Sequence, residues 1–452
     1  MKKSLLFIAM CVVALSGTSQ VVPSPSWPSQ SANYSNISTG TQWFDVVNDT
    51  VVWCLGYDGT SPNANFREFT RTVNGGTLYT SGFMYPDTNT YHPSSIEGIN
   101  DTVCWVTSYL NTTQNKGAIH KTTNGGATWT NMTAANMFTN TASFGDFTAF
   151  CTPSVGITLS DPSLGDFEIH RTTDGGTTWT LVPGASIPNP LSGEYGITDL
   201  YAKFGTNDIW FGTNLGRIYH STNQGVTWSV ATVLASNYIT KIAFRDAMNG
   251  ICYTNNSTNV AYRTSNGGAT WTLITPTSPL MGKNDICAIP GTSWYASAGA
   301  GTGNNVISYS MDDGSTWYSW GGMNVQYLAV EFSSNTVGYA GGFSDPFTVG
   351  LDGMFKYNDV PLGIKNSAGA PFATVDVYPN PSNGNIIVGL QPTKEGGTIN
   401  VIDAMGRTVY SENIKNMYFE RHNLNLEHLS KGIYSVNIDR AGRIESKKIV
   451  IE

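Results

Sequence analysis

Positive charge is the scarcest commodity in this chain. Residues 21–365 carry 13 Lys and Arg against 23 Asp and Glu, a balance of −10. A surface of that sign repels phosphate backbones and excludes nucleic acid as a partner. Arginine is rarer still, with six in that stretch: Arg67, Arg71, Arg171, Arg217, Arg245 and Arg263. Cysteine is also sparse. Beyond residue 20 there are five, Cys54, Cys104, Cys151, Cys252 and Cys287. An odd number in an exported chain is no disulfide framework. Each sits in an apolar, strand-like run and reads as a small buried hydrophobe on one strand of successive repeats. CxxC and Cys/His spacings are missing, so no metal site is expected.

A membrane-spanning hydrophobic run is lacking too. Residues 5–15 are apolar but too short to span a bilayer. Lys2 and Lys3 precede them and small, polar residues follow to Gln20, so residues 1–20 read as a secretory signal peptide. Cys11 follows Ile8-Ala-Met rather than a small residue, which argues against lipidation. No transmembrane segment is expected in the mature chain.

Turn formers, by contrast, abound, with 48 glycines in 452 residues. One turn recurs five times: Thr122-Thr-Asn-Gly-Gly-Ala-Thr-Trp129, Thr172-Thr-Asp-Gly-Gly-Thr-Thr-Trp179, Ser221-Thr-Asn-Gln-Gly-Val-Thr-Trp228, Thr264-Ser-Asn-Gly-Gly-Ala-Thr-Trp271 and Ser310-Met-Asp-Asp-Gly-Ser-Thr-Trp317. A degenerate sixth ends at Tyr79, and the closing aromatics lie 50, 50, 49, 43 and 46 residues apart. That period, with strand-type composition, marks a propeller or an array. Before each turn come an apolar strand, a polar turn and a second apolar strand, as in Ile239-Thr-Lys-Ile-Ala-Phe-Arg-Asp-Ala-Met-Asn-Gly-Ile-Cys252. Seven such units can be laid out, each of four short antiparallel strands. The seventh lacks the turn and the fourth strand. Trp27, which lies 52 residues before Tyr79, is in step to supply them, close to Met354-Phe-Lys-Tyr357. The periodicity stops near Pro361. The expected division is a signal peptide at 1–20, a seven-bladed β-propeller at 21–360, a linker at 361–374 and a small Ig-like β-sandwich at 375–452. The fold class is all-β.

The turns resemble the Asp-box (BNR) repeat of sialidases, sortilin-like receptors, xyloglucan-degrading enzymes and photosystem II assembly propellers. The resemblance rests on Asn74, Asn124, Trp129, Asp174, Trp179, Asn223, Trp228, Asn266, Trp271, Asp312 and Trp317. It implies a structural role on the rim, away from the ligand face. The tail is similar to the C-terminal sorting domain of the type IX secretion system of Bacteroidota. The residues that carry this are Tyr378, Pro379, Asn380, Pro381, Gly384, Gly406, Gly432 and Tyr434. The resemblance implies export by the type IX machinery, then release or attachment to surface lipopolysaccharide, and so a secreted or outer-surface protein.

Chemistry is harder to find. A sialidase needs three converging arginines, but Arg71, Arg171 and Arg263 precede turn motifs and belong to the rim. Phe66-Arg67-Glu-Phe lacks the proline of the sialidase signature. Asp45, Asp146, Asp199 and Asp246 fall near the inner side of the ring and read as strand-end and turn residues; a two-carboxylate glycosidase is their alternative reading. His120, His170 and His220 occupy one repeat position, which explains them better than a metal does. No catalytic residue, metal or cofactor is expected. Tyr85, Tyr91, Phe138, Tyr195, Tyr238 and Trp320 are loop aromatics suited to stacking on sugars. The expected function is a non-catalytic binding or adhesion module for a glycan or protein, with a glycoside hydrolase, sialidase-like or polysaccharide-degrading, as the alternative.

Overall fold

The computed structural model describes residues 27–59, 66–84, 90–110, 115–258, 260–276, 280–301, 304–320, 325–357, 376–389, 397–403, 405–414, 421–440 and 443–452. The expected signal peptide and linker lie outside them. The chain divides into two units, Met1–Gly363 and Ile364–Glu452.

Each sequence repeat becomes one blade. Blades 2 to 6 are separate four-stranded antiparallel sheets whose strands follow chain order. Their first strands are Tyr91–Gly98, Gly145–Phe150, Gly196–Phe204, Ile239–Phe244 and Asp285–Ala288. Blade 1 is Thr39–Val46, Val52–Asp58, Glu68–Thr72 and Tyr79–Phe83. Inner strands are covered on both faces by neighbouring blades, so they read as continuous apolar runs rather than alternating ones. Gly145–Phe150 and Tyr295–Gly299 are buried along their whole length. The fourth strands are cut short: Thr130–Asn131 and Thr180–Leu181 have two exposed residues each, which leaves little edge for unwanted pairing. They begin one residue after the closing Trp rather than at it.

Blade 7 is Tyr327–Phe332, Gly338–Ser344 and Asp352–Lys356, completed by the N-terminal strand Ser29–Ser31. Ser29 faces Phe355, Gln30 faces Met354 and Ser31 faces Gly353. Trp27 is fully buried, with ring centroids 5.3 Å from Tyr357, 5.7 Å from Trp320 and 5.9 Å from Phe332. The last blade is thus closed by the first described strand.

The closing aromatics wedge between blades. Trp129 meets Phe69 of blade 1 at 5.7 Å, and Trp179 meets Trp105 of blade 2 at 5.8 Å. Trp228 packs with Ile157 of blade 3, Trp271 with Trp210 of blade 4, Trp317 with Ile251 of blade 5, and Tyr79 with Tyr339 of blade 7. Beside them runs a second set of links. Lys356 Nζ donates to Gly75 O, Lys121 Nζ to Gly175 O, Arg171 Nε to Gln224 O and Arg263 to Ser315 Oγ, each reaching the turn of the following blade. The cysteines are free, but they do not share one strand. Cys54, Cys104 and Cys252 are buried on second strands, whereas Cys151 follows the first strand of blade 3 and Cys287 lies on that of blade 6.

The second unit is a sandwich of a three-stranded and a four-stranded sheet. The first pairs Asp376–Tyr378, Asn385–Gly389 and Arg421–Asn425; the second pairs Thr408–Ile414, Gly397–Ile402, Gly432–Arg440 and Arg443–Ile451. Val388, Val401, Leu426, Val436 and Ile449 fill the space between them.

Candidate functional site

The repeated turns close on themselves. In all six, a Ser or Thr hydroxyl donates to the Asx side-chain oxygen at 2.8–3.0 Å. The same hydroxyl accepts the N–H of the glycine four residues on. The Asx oxygen then takes the backbone N–H of Leu78, Thr128, Thr178, Thr227, Thr270 or Thr316. Asn serves as well as Asp for a specific reason. Asn124, Asn223 and Asn266 donate their amide to the following Thr hydroxyl, whereas Asp174 accepts from Thr178 Oγ1 at 2.7 Å. Those bonds hold the exposed Asp174 carboxyl down at about 2. Both chemistries satisfy one loop, and none of the six turns lines the central cavity described below.

The tail motif is equally structural in its contacts. Asn380 Oδ1 accepts from Val450 N at 2.8 Å and its amide donates to Lys448 O at 2.9 Å, while Ser382 pairs with Ile451. Tyr378, Pro379 and Pro381 flank this clamp on the final strand. Gly384 turns with φ 103° where a Cβ would meet Glu427 at 2.7 Å, and Gly406 takes φ 80° in the turn held by Asp403. Gly432 opens the strand on which Tyr434 donates back to Ser430 O at 2.6 Å.

The cavity lies inside the ring. It measures about 370 Å³ and is lined by the first strands of blades 1, 4, 5, 6 and 7. Asp45, Glu97, Lys203 and Glu331 each occupy the penultimate residue of a first strand. Three of them staple the next blade. Glu331 Oε2 accepts Val46 N at 3.0 Å, Asp45 Oδ2 accepts Gly98 N at 2.6 Å and Glu97 Oε1 accepts Phe150 N at 2.8 Å. Glu97 also crosses to blade 4, where Lys203 Nζ and Tyr201 Oη both donate to it at 2.6 Å. Asp285 Oδ2 accepts Val330 N at 2.9 Å, and its other oxygen pairs with Lys241 at 3.0 Å. Asp199 sits in the wide bulge between Gly196 and Tyr201, with φ 55°.

Of the four acids singled out from sequence, the structure brings Asp45 and Asp199 into this channel. Asp146 is buried within blade 3 against Gly196, and Asp246 caps the Met248–Asn249 turn. Glu97, Lys203, Lys241, Asp285 and Glu331 were missed; for Glu97, Lys203 and Glu331 the penultimate position shared with Asp45 was the available signal. The arginines do not converge. Arg217 pairs with Glu194 at 2.7 Å and Arg245 with Asp313 at 3.2 Å, in blades 4 and 5, while Arg67 belongs to blade 1. Among the loop aromatics, Phe138 is buried and Trp320 packs on Trp27, so both are core. Tyr91 stands over His120, and Tyr85 is outside the described residues. Tyr195 and Tyr238 pair through their hydroxyls at 2.6 Å before the first strands of blades 4 and 5. His120, His170 and His220 lie on equivalent third strands, each in its own blade.

Three of the channel acids, Asp45, Asp199 and Glu331, are ringed by protein, and that loss of solvent raises their carboxyl pKa values. Burial, then the Glu97 charge, lifts Asp45 to about 7 against the pull of Lys203. Burial and Asp45 push Glu331 well up, and burial does the same to Asp199. Lys203 is disfavoured by burial yet held above its usual value by Glu97 and Asp45. A carboxyl raised in the folded state keeps a proton that the unfolded chain releases near pH 4, so it subtracts stability as pH climbs from about 4 to about 7. His120, His170 and His220 are lowered by burial and act in the opposite sense below pH 6.5. A difference measurement separates the two. Asp45→Asn should gain stability relative to wild type between pH 5 and pH 8, on the order of 2–4 kcal/mol before lumen screening reduces it. Denaturant melts at both pH values check this, and a constant gap would contradict it.

Residues 376–452 match the family described as the secretion system C-terminal sorting domain. No curated protein sequence matches the chain. Among solved structures, "YCF48 bound to D1 peptide" is 14% identical over 75% of this chain and 99% of that one, with a TM-score of 0.54. YCF48 from Cyanidioschyzon merolae is likewise 14% identical, over 74% and 99%, with a TM-score of 0.52. Likeness at that identity concerns the fold. No helix among the described residues is long and apolar enough to cross a membrane. The chain is a β-propeller carrying a type IX secretion sorting domain, bound for the cell surface or the extracellular space.

Proposed function

We propose that the propeller is a non-catalytic binding module, presented outside the cell, for a glycan or protein ligand. The observation that carries this is how the channel acids are engaged. Asp45, Glu97, Asp285 and Glu331 each accept a backbone N–H from the following blade, so they serve as inter-blade staples. A general acid or base must instead be free to meet a substrate and move a proton. The arginine placement also lacks the convergence a sialidase needs. Rigid loops around a central cavity suit capture rather than turnover. The peptide held by the YCF48 propeller is a property of that protein, and it makes a protein segment a reasonable ligand class to test first.

One observation favours a second reading. Asp45 and Glu331 are neighbours with raised pKa values, one of them near neutrality, which is the electrostatic condition for an acid–base pair. Glycan and peptide arrays run beside a polysaccharide hydrolysis panel separate the two. We expect retention of a ligand with no reducing sugar released. Hydrolysis abolished by Asp45→Asn would make the protein a glycoside hydrolase.

A further inference from the structure

The channel holds more acidic side chains than its own cations answer. Lys203 is paired with Glu97 at 2.6 Å and Lys241 with Asp285 at 3.0 Å. Arg245, at the edge of the cavity, is engaged by Asp313 at 3.2 Å. Asp45, Asp199 and Glu331 are left over: among the described residues, none has a Lys, Arg or His within ion-pair distance. Asp45 and Glu331 keep one backbone N–H each. Asp199 has none. No described residue hydrogen-bonds its carboxylate, although it lies inside the ring on the cavity wall. Its oxygens are therefore free to accept from a ligand that enters the cavity.

We propose that this cavity is a binding site for an organic cation, a primary ammonium or guanidinium group such as a basic side chain of an incoming polypeptide, with Asp45, Asp199 and Glu331 as its acceptors. The proposal deepens the binding-module reading and rests on it. Two features favour an organic cation over a metal ion. No three His, Cys, Asp or Glu side chains among the described residues converge as a metal requires. Half-buried aromatic rings, Trp43 and Phe44, are on the lining beside Asp45. Such rings attract ammonium and guanidinium groups through their faces and do not ligate hard metals. About 370 Å³ accommodates the end of a Lys or Arg side chain with little to spare for a folded partner. Burial holds the three carboxyls towards their protonated forms, so a cation must displace protons as it binds. The other titratable groups that interact with them are Glu97, Asp285, Lys203, Lys241, Tyr201, Cys54, Cys104 and Cys287.

Calorimetry on the full chain tests this, with N-acetyl-lysine amide as the probe and N-acetyl-norleucine amide and calcium chloride as controls. The lysine probe should bind at least about tenfold more tightly than the norleucine one, since they differ by the charge alone. Its heat should vary with the buffer's ionisation enthalpy, as proton release demands. Asp199→Asn and Glu331→Gln should each weaken binding by about tenfold or more. Asp199→Asn loses no hydrogen bond to a described residue, so it should melt at or above the wild-type temperature and control for folding. Equal binding of the two amides would overturn the proposal, as would indifference to Asp199→Asn or an equally sensitive response to calcium alone. If the lysine probe fails while an array peptide or glycan still binds, the channel assignment falls and the binding-module reading stands. If nothing binds and a polysaccharide is hydrolysed, that reading falls as well.

Discussion

Trp27→Ala should destabilise the propeller by about 3–5 kcal/mol, the range for truncating a fully buried Trp. The side chain is 0% exposed and touches Trp320, Phe332 and Tyr357 together. Its position adds to the loss. Every other blade takes its strands from one consecutive stretch of chain, whereas blade 7 is completed by Ser29–Ser31 from the opposite end of the propeller, so the ring is held shut there by pairing and packing alone. The strand Ser29–Ser31 adds three backbone pairings to blade 7, and Trp27 anchors its start. Removing residues 27–31 should therefore lower the melting temperature further and expose the Asp352–Lys356 edge to pairing with other chains. The control is Trp129→Ala, a half-buried wedge within the continuous part of the ring. Denaturant melts of the two variants decide the matter. If Trp27→Ala costs no more than Trp129→Ala, the N-terminal strand does not clasp the ring.

Deleting residues 376–452 should abolish delivery to the cell surface or medium while leaving the propeller folded. The two parts are separate compact units with separate cores, so the melt of the first should not depend on the second. Cell fractionation of the native host, with and without the tail, reads the outcome, and the truncated chain is expected to accumulate inside the envelope. Within the tail, Asn380 fastens the final strand through Val450 N and Lys448 O. Undiminished surface levels after deletion would mean that these residues do not direct export.

The architecture was legible because its devices recur. A hydroxyl, an Asx oxygen and two left-handed residues close each turn, and the period of the closing aromatics counts the blades. Even the borrowed strand could be read from the spacing of Trp27. Blade 2 was less legible at its start. Its first strand begins at Tyr91 and contains Pro93, which the bulge between Pro93 and Ser95 accommodates. The cavity was the least legible part. Asp45 and Asp199 were found, but Glu97, Lys203 and Glu331 look like ordinary strand-end charges until first strands are aligned by their ends. Their partners come from far along the chain, 106 residues for Glu97 with Lys203 and 285 for Glu331 with Val46. No local pattern reports such a meeting. The loop aromatics failed for the converse reason: Phe138 and Trp320 fall in irregular segments but pack inward, because hydrophobic burial does not respect the distinction between loop and strand.

The bridge from Glu97 to Lys203 and Tyr201 joins blades 2 and 4 over the head of blade 3, so the hole through the molecule is lopsided. Free space is left beside the first strands of blades 1, 4, 5, 6 and 7, so a guest meets five of the seven blades. The wall such a guest meets is asymmetric, although the ring that carries it is built from like repeats.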